Sequence, residues 1–146
     1  MKKLNFSIDI KAPKEKIWKV LWDDRTYREW TSAFMEGSYA ESDWKEGSKI
    51  HFLDPNGEGM YSTIAKKTEN EFMSFKHIGS VKDGKEQPLD AETKKWSGAT
   101  ENYTLKDHNG TTTLTVELDT SGLEWENMLK EAFPKALDKV KELAEK

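Results

Sequence analysis

The closing stretch GLEWENMLKEAFPKALDKVKELAEK, residues 122–146, decides how the rest of the chain is read. Trp125, Leu129, Ala132, Ala136, Val140 and Leu143 recur at three- and four-residue spacings, which aligns them on one stripe of an α-helix. Phe133, Leu137 and Ala144 widen the stripe on one side and Met128 on the other. Glu124, Lys130, Glu131, Lys135, Asp138, Lys141, Glu142 and Glu145 take the opposite face. A rod from Glu124 to Ala144 would be roughly 30 Å long, enough to cross a small domain. Pro134 falls inside it, and proline removes a backbone donor and pushes on the carbonyl four residues back, so a kink or a restarted helix is expected there. Such a helix can pack plainly on a core, or it can close a pocket beneath itself. The upstream sequence has to decide.

At 146 residues the chain is long enough to bury a core, and its length suits one domain spanning 1–146. Charged residues make up 34% and apolar ones 35%, yet six Trp, six Phe and four Tyr argue against disorder. The net charge of −4 is mixed along the chain with no long basic run, so nucleic acid is not expected as a partner. No run of apolar residues is long enough for a membrane span. The N-terminus has two lysines but no apolar core of a signal peptide, and the absence of cysteine fits a reducing cytoplasm. A cytoplasmic protein is therefore expected.

Upstream, Leu4, Phe6, Ile8 and Ile10 alternate with polar residues through Lys11, the pattern of a half-buried strand. Pro13 suits the first position of a helix, and Ile17, Trp18, Val20, Leu21 and Trp22 give that helix its apolar face. Asp23-Asp24 ends it. Thr26 and Glu29 have capping-box spacing and would open a second short helix bearing Tyr27, Trp30 and Phe34. From Met35 the period becomes two. Strands are expected over Gly37–Trp44, Lys49–Leu53, Gly59–Lys67, Phe72–Val81, Trp96–Asp107 and Thr111–Thr120. Asp54-Pro55-Asn56-Gly57, Lys67–Asn70 and Lys82–Lys85 read as turns, Asn109-Gly110 as a hairpin, and Glu86–Lys95 as a polar loop. Short links imply antiparallel neighbours. The class is α+β, with one strand, two helices, further strands and a closing helix in that order.

The run Ile10-Lys11-Ala12-Pro13-Lys14-Glu15-Lys16-Ile17-Trp18, then Leu21 and Tyr27-x-x-Trp30, resembles the opening of the SRPBCC superfamily (START and Bet v 1-like proteins). Within it the chain is most similar to the bacterial group related to the activator of Hsp90 ATPase. Trp44-x-Glu46-Gly47-Ser48, Asn109-Gly110-Thr111-Thr112 and Ala136-Leu137-x-x-Val140-x-x-Leu143 fit that group in the same order. The resemblance implies a helix-grip fold, a curved antiparallel sheet of about six to seven strands wrapped around the C-terminal helix over an apolar cavity. It also implies a small hydrophobic or amphipathic ligand, or a role as co-factor of an Hsp90-type chaperone, or an enzyme acting on an aromatic or polyketide-like substrate. It carries no shared catalytic signature, so no catalytic residue is assigned.

Trp30, Phe52, Phe75, Tyr103, Trp125, Met128, Leu129 and Phe133 are the expected cavity wall, because aromatics supply large apolar contact areas. Each of them can equally be plain core. His77 lies in register with Met73 and Phe75. Glu101 alternates with Tyr103 and Leu105, so it faces inward if they do; Asn102 and Thr104 face inward otherwise. An inward Glu101 would need a partner, with His77 or a tyrosine hydroxyl available, and a His–Glu pair would permit acid–base chemistry. The three histidines have no metal-binding spacing, and the sequence implies no cofactor and no metal.

Overall fold

The chain was analysed as a computed structural model, which describes residues 1–146. Strand β1 (Lys2–Ile10) leads into helices α1 (Lys14–Trp22) and α2 (Asp24–Thr31). Strands β2 (Tyr39–Glu41), β3 (Lys49–Leu53), β4 (Gly59–Thr68), β5 (Phe72–Lys82) and the two-residue β6 (Lys85–Glu86) follow. A short helix α3 (Ala91–Lys94), strands β7 (Thr100–His108) and β8 (Thr111–Thr120), and helix α4 (Leu123–Ala144) complete the chain. One antiparallel sheet runs in the order β1-β8-β7-β5-β4-β3-β2, with β6 paired to β5. This is the α+β helix-grip architecture, with eight strands once β6 is included.

The register follows from local chemistry. Asn109 and Gly110 both have positive φ, 54° and 84°, the conformation that lets a two-residue turn match the twist of its strands. That turn fixes β7 on β8, with Tyr103 opposite Val116 and Leu105 opposite Leu114. β1 then pairs β8 so that Leu4 meets Leu118 and Ile8 meets Leu114. Along β8, Thr112, Leu114, Val116, Leu118 and Thr120 are buried and their neighbours are not. That period of two turns one face toward the core.

Helix α4 packs against β1, α1 and α2. Its buried residues include Leu129, Ala132, Phe133, Ala136, Leu137, Val140 and Leu143. Phe133 stacks on Phe6 with ring centroids 4.9 Å apart. The C-terminal half is also tied by polar contacts: Lys141 Nζ donates to the Asp9 carbonyl at 3.0 Å, and Lys11 N donates to Glu145 Oε2 at 2.8 Å. Pro134 neither ends nor restarts the helix, which is continuous from Leu123 to Ala144. It sits on the exposed face, where water can reach the Lys130 carbonyl that the missing N–H leaves unpaired. No helix is long and apolar enough to cross a membrane.

Several local expectations are corrected. Helix α2 starts at Asp24, not at a Thr26 cap. The Thr26 hydroxyl is 3.3 Å from the Lys19 and Asp23 carbonyls, and Glu29 pairs with Arg25 instead of reaching back. The strand expected over Gly37–Trp44 shrinks to β2 at the sheet edge. The polar loop Glu86–Lys95 contains α3, whose first turn is capped where Thr93 N donates to Asp90 Oδ1 at 2.8 Å. β7 begins at Thr100 because Trp96–Ala99 turns: Trp96 N donates to the Thr93 carbonyl and Gly98 N to the His77 carbonyl.

Candidate functional site

Between the N-terminal half of α4, helix α2 and strands β3, β4, β5 and β7 lies a cavity with two adjoining lobes of about 400 and 480 Å³. Phe52, Gly59, Met60, Glu101, Trp125 and Leu129 border both lobes. The first lobe is aromatic. Helix α1 contributes Trp22, α2 Tyr27 and Trp30, β3 Phe52, β5 Phe75, and β7 Tyr103. Trp22 is the hub of this wall, with its ring 5.0 Å from Tyr103, 5.4 Å from Phe75 and 5.6 Å from Trp44 in tilted or edge-on arrangements. Edge-on packing is the geometry that aromatic quadrupoles favour. Trp30 is fixed in turn, because its Nε1 donates to the Leu21 carbonyl at 3.1 Å. Gly59 lets β4 lie close to β3: a Cβ there would fall 1.8 Å from the Phe52 carbonyl oxygen.

A polar chain crosses this apolar wall. The register of β5 on β7 sets Phe75 opposite Glu101, which makes His77 a diagonal neighbour of Glu101 on the inner face. His77 Nε2 is 3.1 Å from Glu101 Oε1, and the Tyr103 hydroxyl donates to Glu101 Oε2. On the far side, His77 Nδ1 is 2.7 Å from Ser62 Oγ. Ser62 reaches His77 because the β4–β5 register slips by one residue between Tyr61 and Ser62, leaving Ile78 unpaired as a bulge. Bulges redirect side chains in this way. The chain Ser62–His77–Glu101–Tyr103 therefore delivers two donors to one carboxylate at the junction of the lobes. The first is His77 Nε2 when Ser62 donates to Nδ1. Burial, and then the negative charge of Glu101, pushes the Tyr103 phenol well above its ordinary value, and Tyr27 is shifted upward for the same two reasons. Both phenols are thus neutral, and that of Tyr103 is the donor to Glu101.

The arrangement can hold an apolar molecule and meet one polar group on it. It is not a nucleophilic triad, because Ser62 is fully buried and lines neither lobe. A family model described as activator of Hsp90 ATPase homolog 1-like protein matches residues 11–145. The chain belongs to this family. Among solved structures, this chain is similar to Aha1 of Colwellia psychrerythraea, described as a dimer in solution. Identity is 20% and the TM-score 0.76, over 99% of this chain and 97% of that one. It is also similar to protein MLL2253 of Mesorhizobium loti, with 16% identity and TM-score 0.75 over 97% and 96% of the two chains. CalU16 of Micromonospora echinospora follows with 17% identity and TM-score 0.66, over 97% of this chain and 65% of that one. At these identities the likeness carries the fold alone. Among curated proteins none matches the sequence.

In this family member, Trp30, Phe52, Phe75, Glu101, Tyr103, Trp125, Met128, Leu129 and Phe133 border the first lobe, and His77 borders the second. Glu101 faces inward with Tyr103, the alternative that the alternation of β7 left open. Trp125 differs from the rest: it is 46% exposed and forms the rim, so the buried stripe of α4 starts in effect at Leu129. Glu126 beside it is buried, held by Lys2 at 3.2 Å and Lys130 at 2.9 Å. Sequence reasoning missed Trp22, Tyr27, Met60 and Ser62. Tyr27 carries the same helical spacing as Trp30 and Phe34, and Ser62 alternates with Met60 and Ile64, so both had a signal. Trp22 had the signal only of an apolar helix face.

Proposed function

We propose that the protein binds a small hydrophobic or amphipathic molecule in the cavity between its sheet and α4. The observation that carries this reading is an aromatic-walled space of about 400 Å³ that meets Glu101 at the border with a second lobe. Apolar walls with a few convergent polar groups are the usual make-up of small-molecule sites. Native mass spectrometry of protein purified from its own host tests the reading, together with quenching of tryptophan fluorescence by a neutral hydrophobic probe. A copurifying small molecule or saturable quenching is expected. If both are absent, the reading fails.

A second reading is that the region around the cavity mouth engages an Hsp90-type ATPase. It is supported by the family's description and by the exposed apolar side chains of Met35, Leu123 and Trp125. Unchanged ATP turnover of the host's Hsp90 homologue on adding the protein would exclude it.

A further inference from the structure

We propose that the cavity's ligand carries an ammonium group, which sits against Glu101 inside the aromatic wall. This inference rests on the binding reading above and names the ligand's chemical class. The first support is the sign of the wall. No lysine or arginine borders either lobe, whereas Asp54, Glu58, Glu101 and Asp119 do. These carboxylates are not equivalent. Asp54 Oδ1 is occupied by the backbone N–H groups of Asn56 and Glu58. Asp119 accepts from Thr100 and is paired with Lys3 at 3.2 Å. Glu58 is exposed at the mouth.

Glu101 stands apart, since its partners within the protein are His77 and the Tyr103 hydroxyl. The His77 ring is anchored through Nδ1 by the Ser62 hydroxyl, a contact that a neutral ring satisfies with Nε2–H turned to Glu101. Each carboxylate oxygen then keeps a second acceptor site, and no lysine or arginine neutralises the charge. A carboxylate drawn out of bulk water is stabilised most by an opposite charge in hydrogen-bonding contact. The second support is the ring system. Trp22, Tyr27, Trp30, Phe52, Phe75 and Tyr103 surround the first lobe. Indole and phenol faces attract cations, and more strongly where water is excluded. The same wall opposes an anion: a carboxylate or phosphate brought to Glu101 would meet a like charge with no basic side chain to offset it. The cavity therefore selects amines against acids of the same carbon skeleton, with neutral alcohols between.

The test uses three probes sharing one skeleton, 2-(2-naphthyl)ethylamine, 2-(2-naphthyl)ethanol and 2-naphthylacetate, titrated calorimetrically at neutral pH into the intact protein and into Glu101→Gln. The amine is expected to bind the wild type about tenfold to a hundredfold more tightly than the alcohol, the range that a charge-assisted hydrogen bond supplies. The acid is expected to bind most weakly. In Glu101→Gln the amine should lose that advantage, so that amine and alcohol bind within about threefold of each other. Alcohol binding equal to or tighter than amine binding, or an acid that outranks both, overturns the ammonium inference and leaves hydrophobic binding standing. Failure of all three probes to bind overturns both. The ranking on the wild type decides the matter even if Glu101→Gln does not fold.

Discussion

Ser62→Ala tests whether the polar chain behind Glu101 exists as described. Ser62 and His77 are both buried, and Ser62 Oγ lies 2.7 Å from His77 Nδ1. Alanine removes the hydroxyl and leaves Nδ1 with no partner in an environment that water does not reach. A net hydrogen bond is worth about 1 kcal/mol, and an orphaned buried acceptor adds a desolvation cost of similar size, so the expected loss is about 2 kcal/mol. For a chain of this length that corresponds to a fall in melting temperature of about 4–8 °C. Urea unfolding should show a lower midpoint with an unchanged slope, since no new surface is exposed. The decisive comparison repeats the substitution in a His77→Leu background. There the Ser62 hydroxyl is itself without a partner, so Ser62→Ala should be neutral or slightly stabilising. The two effects then differ by about 2 kcal/mol, a coupling expected of residues in direct contact. If Ser62→Ala costs the same in both backgrounds, the Ser62–His77 contact carries no energy. The positioning of His77, and through it of Glu101, would then need another cause.

The other predictions follow from single positions. Val140 is fully buried away from the cavity, and Val140→Ala should cost about 2 kcal/mol for two lost methyl groups and the space they leave, while probe binding stays within about twofold. Trp125→Ala at the rim should instead weaken binding of the naphthyl probes. Equal effects of these two substitutions on unfolding, with none on binding, would make α4 a plain packing helix. Gly59→Ala would force a Cβ to 1.8 Å from the Phe52 carbonyl oxygen and 3.1 Å from Leu53 Cα, both backbone atoms. A loss above about 3 kcal/mol is expected by denaturation, in the upper range for one substitution. At alkaline pH, Tyr27 and Tyr103 have folded values above the ordinary value of 10 because burial and the Glu101 charge disfavour the phenolate. Their contribution is fully present below pH 10 and is lost as pH rises above it, because the unfolded chain ionises first. Stability measured from pH 9 to 11 should therefore fall, and less steeply in a Tyr27→Phe, Tyr103→Phe double variant; equal slopes would argue against both shifts.

The elements written in local pattern were legible in the sequence. The alternation of β1 and β8, the Asn109-Gly110 hairpin and the stripe of α4 each rest on periods of two or 3.6 and on turn chemistry. What was hidden depends on partners distant in sequence. Alternation along β7 left Glu101 free to face either way; the pairing of Phe75 with Glu101 and Met73 with Tyr103 fixes it inward. The Ile78 bulge, which brings Ser62 to His77, has no signature in its own stretch. Thr26 and Glu29 had the spacing of a capping box, but the helix begins at Asp24, with Tyr27 N donating to the Asp23 carbonyl and the Thr26 hydroxyl turned back to the end of α1. Trp125 fits the stripe and was expected in the cavity wall; it borders both lobes, but spacing alone did not show that it is 46% exposed and stands at the rim.

The carboxylate and the open space above it are physically linked. An aromatic interior of this density could have closed on itself, since Trp22, Phe75 and Tyr103 already touch edge to face. Closure over Glu101 would strand a charge whose acceptor sites exceed its two protein donors, at a cost of several kcal/mol in an apolar medium. The charge therefore requires a space that admits water or a complementary group, and the bulged β5 and close-set Gly59 shape the walls of that space. On this argument Glu101→Leu, which removes the charge but keeps similar bulk, should let the first lobe contract. The variant should bind the neutral naphthyl alcohol more weakly than the wild type, and it should be less stable to urea than Glu101→Gln, which keeps an acceptor for the Tyr103 hydroxyl and His77 Nε2. A variant that binds the alcohol unchanged would show that the walls hold the cavity open without the charge.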